Sequence, residues 1–352
     1  MKKRADFRAP VIRSLAERAG FLCSFPECNA PTIGPSAESP TSTAKTGMAC
    51  HIYAASDGPA ARRVSPEMSP AELTAIENGI WMCYRHGKLI DADDCTYTPH
   101  LLKEWRRLAE RRAELRHALG RELTPDDLAT EALATQTVAL ASPDLAREVA
   151  DVVRNSGMES IWGSNSALAI RDAAIEIARN ALTHGLATQV RLTVTAHSLE
   201  LSDDGMLFSL TDLEMAETPR GGVQALLELR SSAPSVVLSY IRKKDRNVVT
   251  LASTQTLDKV LETHPCSTTV YGARSSVDAA MTFIEERSEC GTIFLRPAYG
   301  ILSYSDLHNL KAGLIMRGLT KRDIVLAMES HSEGIRKFLE KEMPNVRLIE
   351  SR

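Results

Sequence analysis

The chain has 352 residues, of which 43% are hydrophobic and 25% charged, and these proportions exclude the disordered and fibrous classes. No apolar run approaches the roughly 18 residues of a membrane span, and arginines stand early where a signal peptide needs an apolar segment, so we expect a cytoplasmic protein without membrane contact. Residues 1–120 carry 17 Lys and Arg against 14 Asp and Glu, a net charge of about +3, which leaves about −6 for the rest of a chain whose total is −3. The N-terminal third is therefore the part that could approach a polyanion such as DNA.

The N-terminal third contains two close pairs of metal-ligand residues. The seven cysteines, in a chain without an export signal, are expected to be metal ligands or buried thiols rather than disulfides. Cys23 and Cys28 lie in the loop "FLCSFPEC", and Cys83 and His86 follow about 55 residues later. Two pairs of soft or borderline ligands on tight turns are what a closed tetrahedral zinc site requires. These four residues are predicted to hold a structural zinc ion.

The residues between the two pairs resemble the HNH endonuclease family, in a zinc-stapled variety. A short apolar strand ends in His51 and Ile52, a Gly-Pro loop with arginines follows, Ser-Pro-x-Glu at 69–72 begins a helix, and an Asn-Gly-Ile-Trp strand starts at Asn78. Cys-x-x-His and then Ile-Asp come next. The resemblance covers residues 11 to about 110. It implies a ββα-metal fold, a catalytic divalent ion such as Mg²⁺, and DNA as the substrate.

In this family a histidine on the first strand of a hairpin deprotonates water, and an asparagine on the second strand orients it. The resemblance gives these roles to His51 and Asn78. The chain departs from the family at Gly87, where a second histidine usually binds the catalytic metal. Either another residue supplies this ligand, or the module keeps DNA contact and has lost cleavage. The candidate ligands are Asp91, Asp93 and His100, and Cys50 is acceptable only for zinc or a softer metal.

The segment after residue 97 predicts a helix with two different faces. Leucine and tryptophan recur at three- and four-residue spacing, which indicates a buried face formed by Leu101, Leu102, Trp105, Leu108 and Leu115. The other face carries Arg106, Arg107, Arg111, Arg112 and Arg116. These arginines either pair with neighbouring glutamates or contact DNA phosphates.

Residues 121–145 are low in aromatic residues and contain two proline helix starts, so we predict a helical connector there. The next segment, "SALAIRDAAIEIARNALTHG", predicts a helix that stops near Gly185. Glu176 and Asn180 are four residues apart and share one face of this helix.

Alternating residues then predict two strands, and the second delivers Asp203, Asp204 and Gly205 at its end. A further helix begins on the pair Gly221 and Gly222, which is a potential anion site.

This ordered set, over roughly residues 145–260, resembles the GHKL ATPase family. The resemblance implies that Glu176 activates water, that Asn180 holds the Mg²⁺ bridging the ATP phosphates, and that Asp203 receives the adenine amino group. Gly205 would belong to a reduced Asp-x-Gly-x-Gly motif, and Gly221 and Gly222 to a short glycine-rich lid.

From about residue 265, the pattern predicts a strand in "GTIFLRPAYGILSY", helices over "SDLHNLKAGLIMRGL" and "TKRDIVLAMESHSEGIRKFLEKEM", and a last strand in "NVRLIE". No functional site is predicted in this segment. We expect it to serve packing or self-association.

The predicted fold class is α+β, with an HNH-like zinc module at 1–120, the connector at 121–145, a GHKL-like α/β sandwich at 146–262 and an α/β subdomain at 263–352. Two functions follow from the resemblances. The first is an ATP-regulated DNA endonuclease of bacterial defence against phage or foreign DNA, in which ATP changes the shape of the protein or makes it a homodimer. The alternative is a non-cutting regulator that binds nucleic acid or protein in a nucleotide-dependent way.

Overall fold

The computed structural model describes residues 4–59, 61–141, 143–207, 221–271 and 274–350, and the side chains of 221–223 and 274–275 also lie outside the description. Contacts divide the chain into two compact units, residues 1–136 with 153–163 and residues 137–152 with 164–352. The narrower domain limits predicted at residues 120, 145 and 262 stay predictions. Within the described residues, no helix is both long enough and apolar enough to cross a membrane.

The first half of the chain mixes short strands with helices. In chain order the elements are α1 (Ala9–Arg18), β1 (Ile33–Pro35), β2 (Thr43–Lys45), β3 (Gly47–His51), α2 (Pro70–Leu73), β4 (Gly79–Cys83), α3 (Tyr84–Ala92), α4 (Pro99–Leu119), α5 (Pro125–Leu128), β5 (Gln136–Leu140), α6 (Leu145–Ser156) and α7 (Met158–Trp162). Of these, β5 after its first residue and α6 before Val153 belong to the second unit.

The first unit is built around the antiparallel hairpin of β3 and β4, which pairs His51 with Gly79. Side chains alternate between the two faces of a strand, so the hairpin can bury both. On one face, Ile80 and Met82 share a core with Trp105 of α4. On the other face, Trp81 packs with Leu15 of α1. The predicted hairpin is therefore present and held from two sides.

Helix α4 agrees with its prediction. The Thr98 hydroxyl caps its start by accepting the Leu101 N–H, and Gly120 ends it in the left-handed conformation. The predicted apolar face is buried at Leu101, Leu102, Trp105 and Leu108, and Leu115 is half-buried.

The arginines of α4 are engaged within the protein. The ion pairs join Arg106 with Glu110, Arg107 and Arg111 with Glu131, and Arg116 with Glu122. Arg112 is buried and donates to the Pro26 carbonyl. These contacts favour the first predicted alternative, pairing with glutamates, over contact with DNA phosphates.

The second unit contains a five-stranded sheet in the order β5-β6-β7-β9-β8. Its further elements are α8 (Ser164–Thr183), β6 (Val190–Val194), β7 (Ser198–Asp203), α9 (Gly221–Ser232), β8 (Val236–Lys243) and β9 (Arg246–Ser253). Helices α8 and α9 pack on each other, and α8 packs on β6 and β7. The helix predicted before Gly185 and the two strands predicted after it are confirmed.

The prediction of a helical connector at residues 121–145 is wrong where the chain forms a strand. Among the described residues of 121–145, Pro125–Leu128 and Leu145, the first residue of α6, are helical, and Gln136–Leu140 form β5 at the edge of the sheet. Along β5 the side chains alternate between partly buried and exposed positions, which is the period of a strand. Thr137 and Val138 favour a strand, and pairing with β6 places this strand at the edge of the sheet.

A parallel four-stranded sheet in the order β10-β11-β12-β13 completes the second unit. Its elements are α10 (Leu257–Leu261), β10 (Ser267–Val270), α11 (Arg274–Glu286), β11 (Thr292–Pro297), α12 (Tyr304–Met316), β12 (Asp323–Met328), α13 (Glu333–Glu342) and β13 (Val346–Glu350). The helix predicted over "TKRDIVLAMESHSEGIRKFLEKEM" is wrong in its first half, because residues 323–328 form a strand. A parallel strand buried on both faces shows no alternation by which to recognise it.

The expectation that the cysteines form no disulfide is wrong for one pair. Cys266 and Cys290 are joined by a disulfide bond, and their Cα atoms are 5.8 Å apart. The two residues are 24 positions apart in sequence and stand just before the neighbouring strands β10 and β11. Sheet pairing, which sequence spacing does not show, brings them within reach. The other five cysteines are free thiols.

Candidate functional site

Two segments of the first unit bring the four predicted zinc ligands together. Hydrogen bonds from the Cys23 N–H to the Ala30 carbonyl and from the Cys28 N–H to the Phe25 carbonyl close the loop that carries the first pair. Cys83 is the last residue of β4, and His86 lies in the first turn of α3. The four donor atoms all lie within 4.8 Å of one another. The predicted cluster is present and can hold a metal ion such as zinc.

The geometry of this Cys3His cluster fits zinc. His86 Nδ1 is 3.5 Å from Cys23 Sγ and 3.3 Å from Cys83 Sγ. A tetrahedral zinc ion, with bonds of about 2.3 Å to sulfur and 2.0 Å to nitrogen, holds its donor atoms roughly 3.5 Å apart. Burial raises the pKa of the Cys23 thiol, so a bound zinc ion displaces a proton from this sulfur. Phe25 stacks on the His86 ring, with centroids 4.1 Å apart, and fixes the ring plane.

The predicted general base, His51, stands at the end of β3. Its Nε2 atom is 2.9 Å from the Ala5 carbonyl oxygen, and its ring stacks on Phe7 with centroids 3.8 Å apart. Burial lowers the pKa of His51, although the hydrogen bond to Ala5 acts in the opposite direction. The ring is therefore neutral at pH 7, which is the state that a general base requires.

His51 lines a cavity of about 340 Å³, and the other ionisable residues that line it are Arg4, Cys50, Arg62, Arg63 and Asp91. Arg63 is buried and donates to the Ile52 carbonyl at 2.8 Å and to the Asp91 carboxylate at 2.9 Å. Three arginines, one aspartate and His51 therefore line one cavity.

The second predicted catalytic residue, Asn78, is buried behind the same hairpin. Its side-chain oxygen accepts the Tyr53 N–H at 2.8 Å, and its amide donates to the carbonyls of Tyr53 and Leu73. Its backbone carbonyl accepts the Ile52 N–H. Asn78 thus holds the chain that follows His51, and these bonds go to backbone groups rather than to the His51 ring.

The family's metal-ligand position, Gly87, is closed by sulfur side chains. A Cβ atom added at Gly87 would lie 2.6 Å from Met48 Sδ and 2.9 Å from Cys50 Sγ. Burial raises the pKa of Cys50 to about 12, and its soft sulfur does not suit Mg²⁺, which prefers oxygen ligands.

Among the three candidate replacement ligands, Asp91 alone lines the His51 cavity. Asp93 accepts the N–H groups of Cys95 and Thr96, and the His100 ring bonds to the Thr135 hydroxyl. The Asp91 carboxylate is paired with Arg63. One paired carboxylate does not make the oxygen-rich site that Mg²⁺ prefers, so this donor set does not fit the catalytic ion of the family.

Restoring the family's histidine at Gly87 is expected to destabilise the first unit. Overpacking against Met48 and Cys50 costs about 1–3 kcal/mol, more than the roughly 0.5–1 kcal/mol gained when a glycine inside a helix is replaced. The midpoint of denaturant unfolding should fall for Gly87→His and recover in part when Met48→Ala is added. Gly58→His is the matched control, because a Cβ atom there meets nothing within 4 Å. An unchanged midpoint for Gly87→His would show that Met48 and Cys50 move aside without a loss of stability.

In the second unit, α8 carries two of the predicted nucleotide-site residues. Glu176 and Asn180 are partly buried, and the Glu176 carboxylate pairs with Arg179. The Asn180 carbonyl accepts the N–H groups of His184 and Gly185, which closes the end of the helix.

The end of α8 is joined to the turn that follows β7. The Gly185 carbonyl accepts the Met206 N–H at 2.7 Å, and a Cβ atom at Gly205 would lie 2.6 Å from the same oxygen. No side chain therefore fits at Gly205. The structure brings the end of the helix that carries Asn180 next to the turn that follows Asp203.

Asp203 is buried, and its orientation depends on a residue that the sequence does not reveal. Its Oδ1 atom accepts the Gly205 N–H at 2.9 Å and the Asn247 side-chain amide at 2.7 Å. Asn247 faces Asp203 across β7 and β9, and its own oxygen accepts from Tyr240 and Arg242. Asn247 lies in no motif, and only the strand register identifies it.

The predicted glycine pair stands at the start of α9, which begins at Gly221. Residues 208–220, which precede this predicted lid, and the side chains of 221–223 lie outside the described residues.

Comparisons with models of protein families, with curated proteins and with solved structures find no match for this chain.

Proposed function

We propose that this protein is a DNA endonuclease of the HNH type whose activity is controlled by ATP bound in the second unit. The observation that carries the proposal is the position of His51, a neutral imidazole at the end of the hairpin, beside a cavity lined by Arg4, Arg62 and Arg63. Phosphodiester hydrolysis needs a base that deprotonates water and cationic groups that stabilise the charge on the phosphate. On the resemblance alone, the proposed target is foreign DNA in a bacterium.

The arginines that line the cavity would have different roles. The ion pairs Arg4–Asp6 and Arg62–Asp94 are substantially exposed, and such pairs contribute only about 0–1 kcal/mol, so a DNA phosphate can displace the aspartates. Arg63 is buried, bonded to the Ile52 carbonyl and paired with Asp91, so it holds the wall of the cavity in place and leaves the phosphate to Arg4 and Arg62. His51 accepts the proton of the attacking water. The zinc ion would hold β4 to the loop of Cys23 and takes no part in the chemistry.

The second unit would bind the nucleotide at the junction of α8 and β7. Asp203 would recognise the base, Asn180 would face the phosphates with their magnesium ion, and Glu176 would orient water. Support comes from the hydrogen bond that the Met206 N–H donates to the Gly185 carbonyl, which joins the end of the helix to the turn. Bound ATP would supply the binding energy that selects one conformation of the protein, or its homodimer, over another.

A second function is favoured by the packing at Gly87. Met48 and Cys50 fill the position of the usual catalytic-metal ligand, and Asp91 is already paired with Arg63. A module with this site could bind DNA or protein without cutting, and the nucleotide-binding unit would then control binding instead of cleavage.

One experiment separates the two functions. The zinc-loaded protein is incubated with supercoiled plasmid and with Mg²⁺, Mn²⁺, Co²⁺ or added Zn²⁺ in turn, and DNA binding is followed in parallel. The endonuclease proposal predicts nicked plasmid in at least one condition. Binding without nicking in every condition would contradict it and support the regulator.

Replacing Asn180 with alanine is expected to weaken ATP binding about 10- to 150-fold. The change removes one hydrogen bond to a charged group, which contributes about 1.5–3 kcal/mol. Titration calorimetry with ATP and Mg²⁺ measures the effect. Asn165→Ala is the matched control, because this exposed asparagine lies at the opposite end of the same helix. Equal affinities of the two variants would remove Asn180 from the site.

A further inference from the structure

Two residues of the N-terminal segment, Ala5 and Phe7, contact the edge and the face of the His51 ring. The Ala5 N–H donates to the Ala55 carbonyl at 2.8 Å, and the Ala5 carbonyl lies 2.9 Å from His51 Nε2. Two residues later, Phe7 stacks on the imidazole with an angle of 6° between the planes. Phe7 also packs against the core that Trp81 forms with α1, so the stacked ring has a support of its own.

This contact fixes the tautomer of the ring. A carbonyl oxygen can only accept a hydrogen bond, so Nε2 must carry the proton. In a neutral imidazole the lone pair then lies on Nδ1. Within the described part of the chain, no residue forms a hydrogen bond to Nδ1 of His51. The nitrogen with the lone pair is therefore the one that the described residues leave available.

The HNH resemblance implies that Asn78 orients the His51 ring, but the Asn78 side chain is hydrogen-bonded to other groups. Both side-chain groups of Asn78 bond to the backbone of Tyr53 and Leu73. We propose that the Ala5 carbonyl and the Phe7 ring are the positioning groups of His51, which hold Nε2 as the donor and present Nδ1 as the base. The role as a base rests on the proposed endonuclease function, whereas the orientation and the tautomer do not.

The direct test reads the tautomer in the intact, zinc-loaded protein. Long-range proton–nitrogen correlation spectra of protein labelled with ¹⁵N-histidine distinguish protonated from unprotonated ring nitrogens. The chain has nine histidines, and the His51 signals are those missing from His51→Gln. We expect a protonated Nε2 and an unprotonated Nδ1. The opposite tautomer in the wild-type protein would overturn the inference.

Two variants weaken the contacts of Ala5 and Phe7 with His51, one contact in each variant. Ala5→Pro removes the N–H that anchors the segment to Ala55, and Phe7→Ala removes the stacked ring; Ala5→Ser and Phe7→Tyr are the matched controls. Each loosening variant should turn the single tautomer into a mixture and lower kcat for plasmid nicking about 10-fold at unchanged KM. The controls should behave as the wild type.

The outcomes for the two proposals are distinct. If the wild-type protein does not nick DNA, the endonuclease proposal fails, and the tautomer spectra still decide the role of Ala5 and Phe7. A single unchanged tautomer in both loosening variants would overturn the positioning role. Faster nicking by Ala5→Pro would also overturn it, because the segment would then cover His51 rather than orient it.

Discussion

Replacing Cys83 with serine is expected to abolish zinc binding and to unfold much of the first unit. A serine hydroxyl stays protonated at pH 7 and does not replace a thiolate ligand. Structural zinc sites contribute roughly 10–16 kcal/mol of binding free energy in small zinc modules, which matches or exceeds the whole stability of a typical domain, about 5–15 kcal/mol. Cys83 joins the end of β4 to the Cys23 loop through the proposed ion, so its loss removes the metal link between two segments that also share one small core.

The measurement is the zinc content per chain, together with proteolysis of the folded protein. Cys95→Ser is the matched control, since Cys95 is a free, exposed thiol outside the cluster. The control should keep one zinc ion and resist protease, whereas Cys83→Ser should lose the ion and be cut within residues 20–95. A wild-type protein that purifies without zinc, or a Cys83→Ser protein that keeps it, would contradict the assignment.

Replacing His51 with alanine is expected to reduce DNA nicking by about 10²- to 10⁴-fold, the range that general base catalysis contributes. The ring is neutral at pH 7 because burial lowers its pKa, and its partners Ala5 and Phe7 lie in a segment without zinc ligands. Zinc content and the unfolding midpoint of the unit should therefore change much less than the rate.

The control for this variant is His100→Ala, which removes a histidine of the same unit whose ring bonds to Thr135 outside the cavity. His100→Ala should nick DNA at nearly the wild-type rate. Nicking by His51→Ala at the rate of the wild type would place the active site elsewhere on the protein.

The zinc cluster could be predicted from the sequence because its ligands come in two short-range pairs. Within each pair the spacing is set by one turn of chain, so local geometry determines that both side chains face the same ion. The hairpin and α4 could be predicted for a similar reason, since one-sided burial leaves a period of two or of three to four residues in the sequence.

The environment of His51 could not be predicted in this way. Its hydrogen-bond partner is a backbone carbonyl 46 residues away, and a backbone group leaves no mark on residue type. The closure of Gly87 by Met48 and Cys50 likewise depends on how α3 crosses β3, which spacing within one segment does not specify. Strand β12 and the Cys266–Cys290 disulfide depend on pairing between distant segments in the same manner.

We propose that ATP bound in the second unit controls DNA cleavage by the first. The most direct test measures plasmid nicking against ATP concentration for the wild-type chain and for Asn180→Ala. A ligand changes a distant site only through different affinities for two states, so the wild-type rate should change with ATP, and the variant should need about 10- to 150-fold more ATP for the same change. A nicking rate that is the same at every ATP concentration, in a protein shown by calorimetry to bind ATP, would contradict the account.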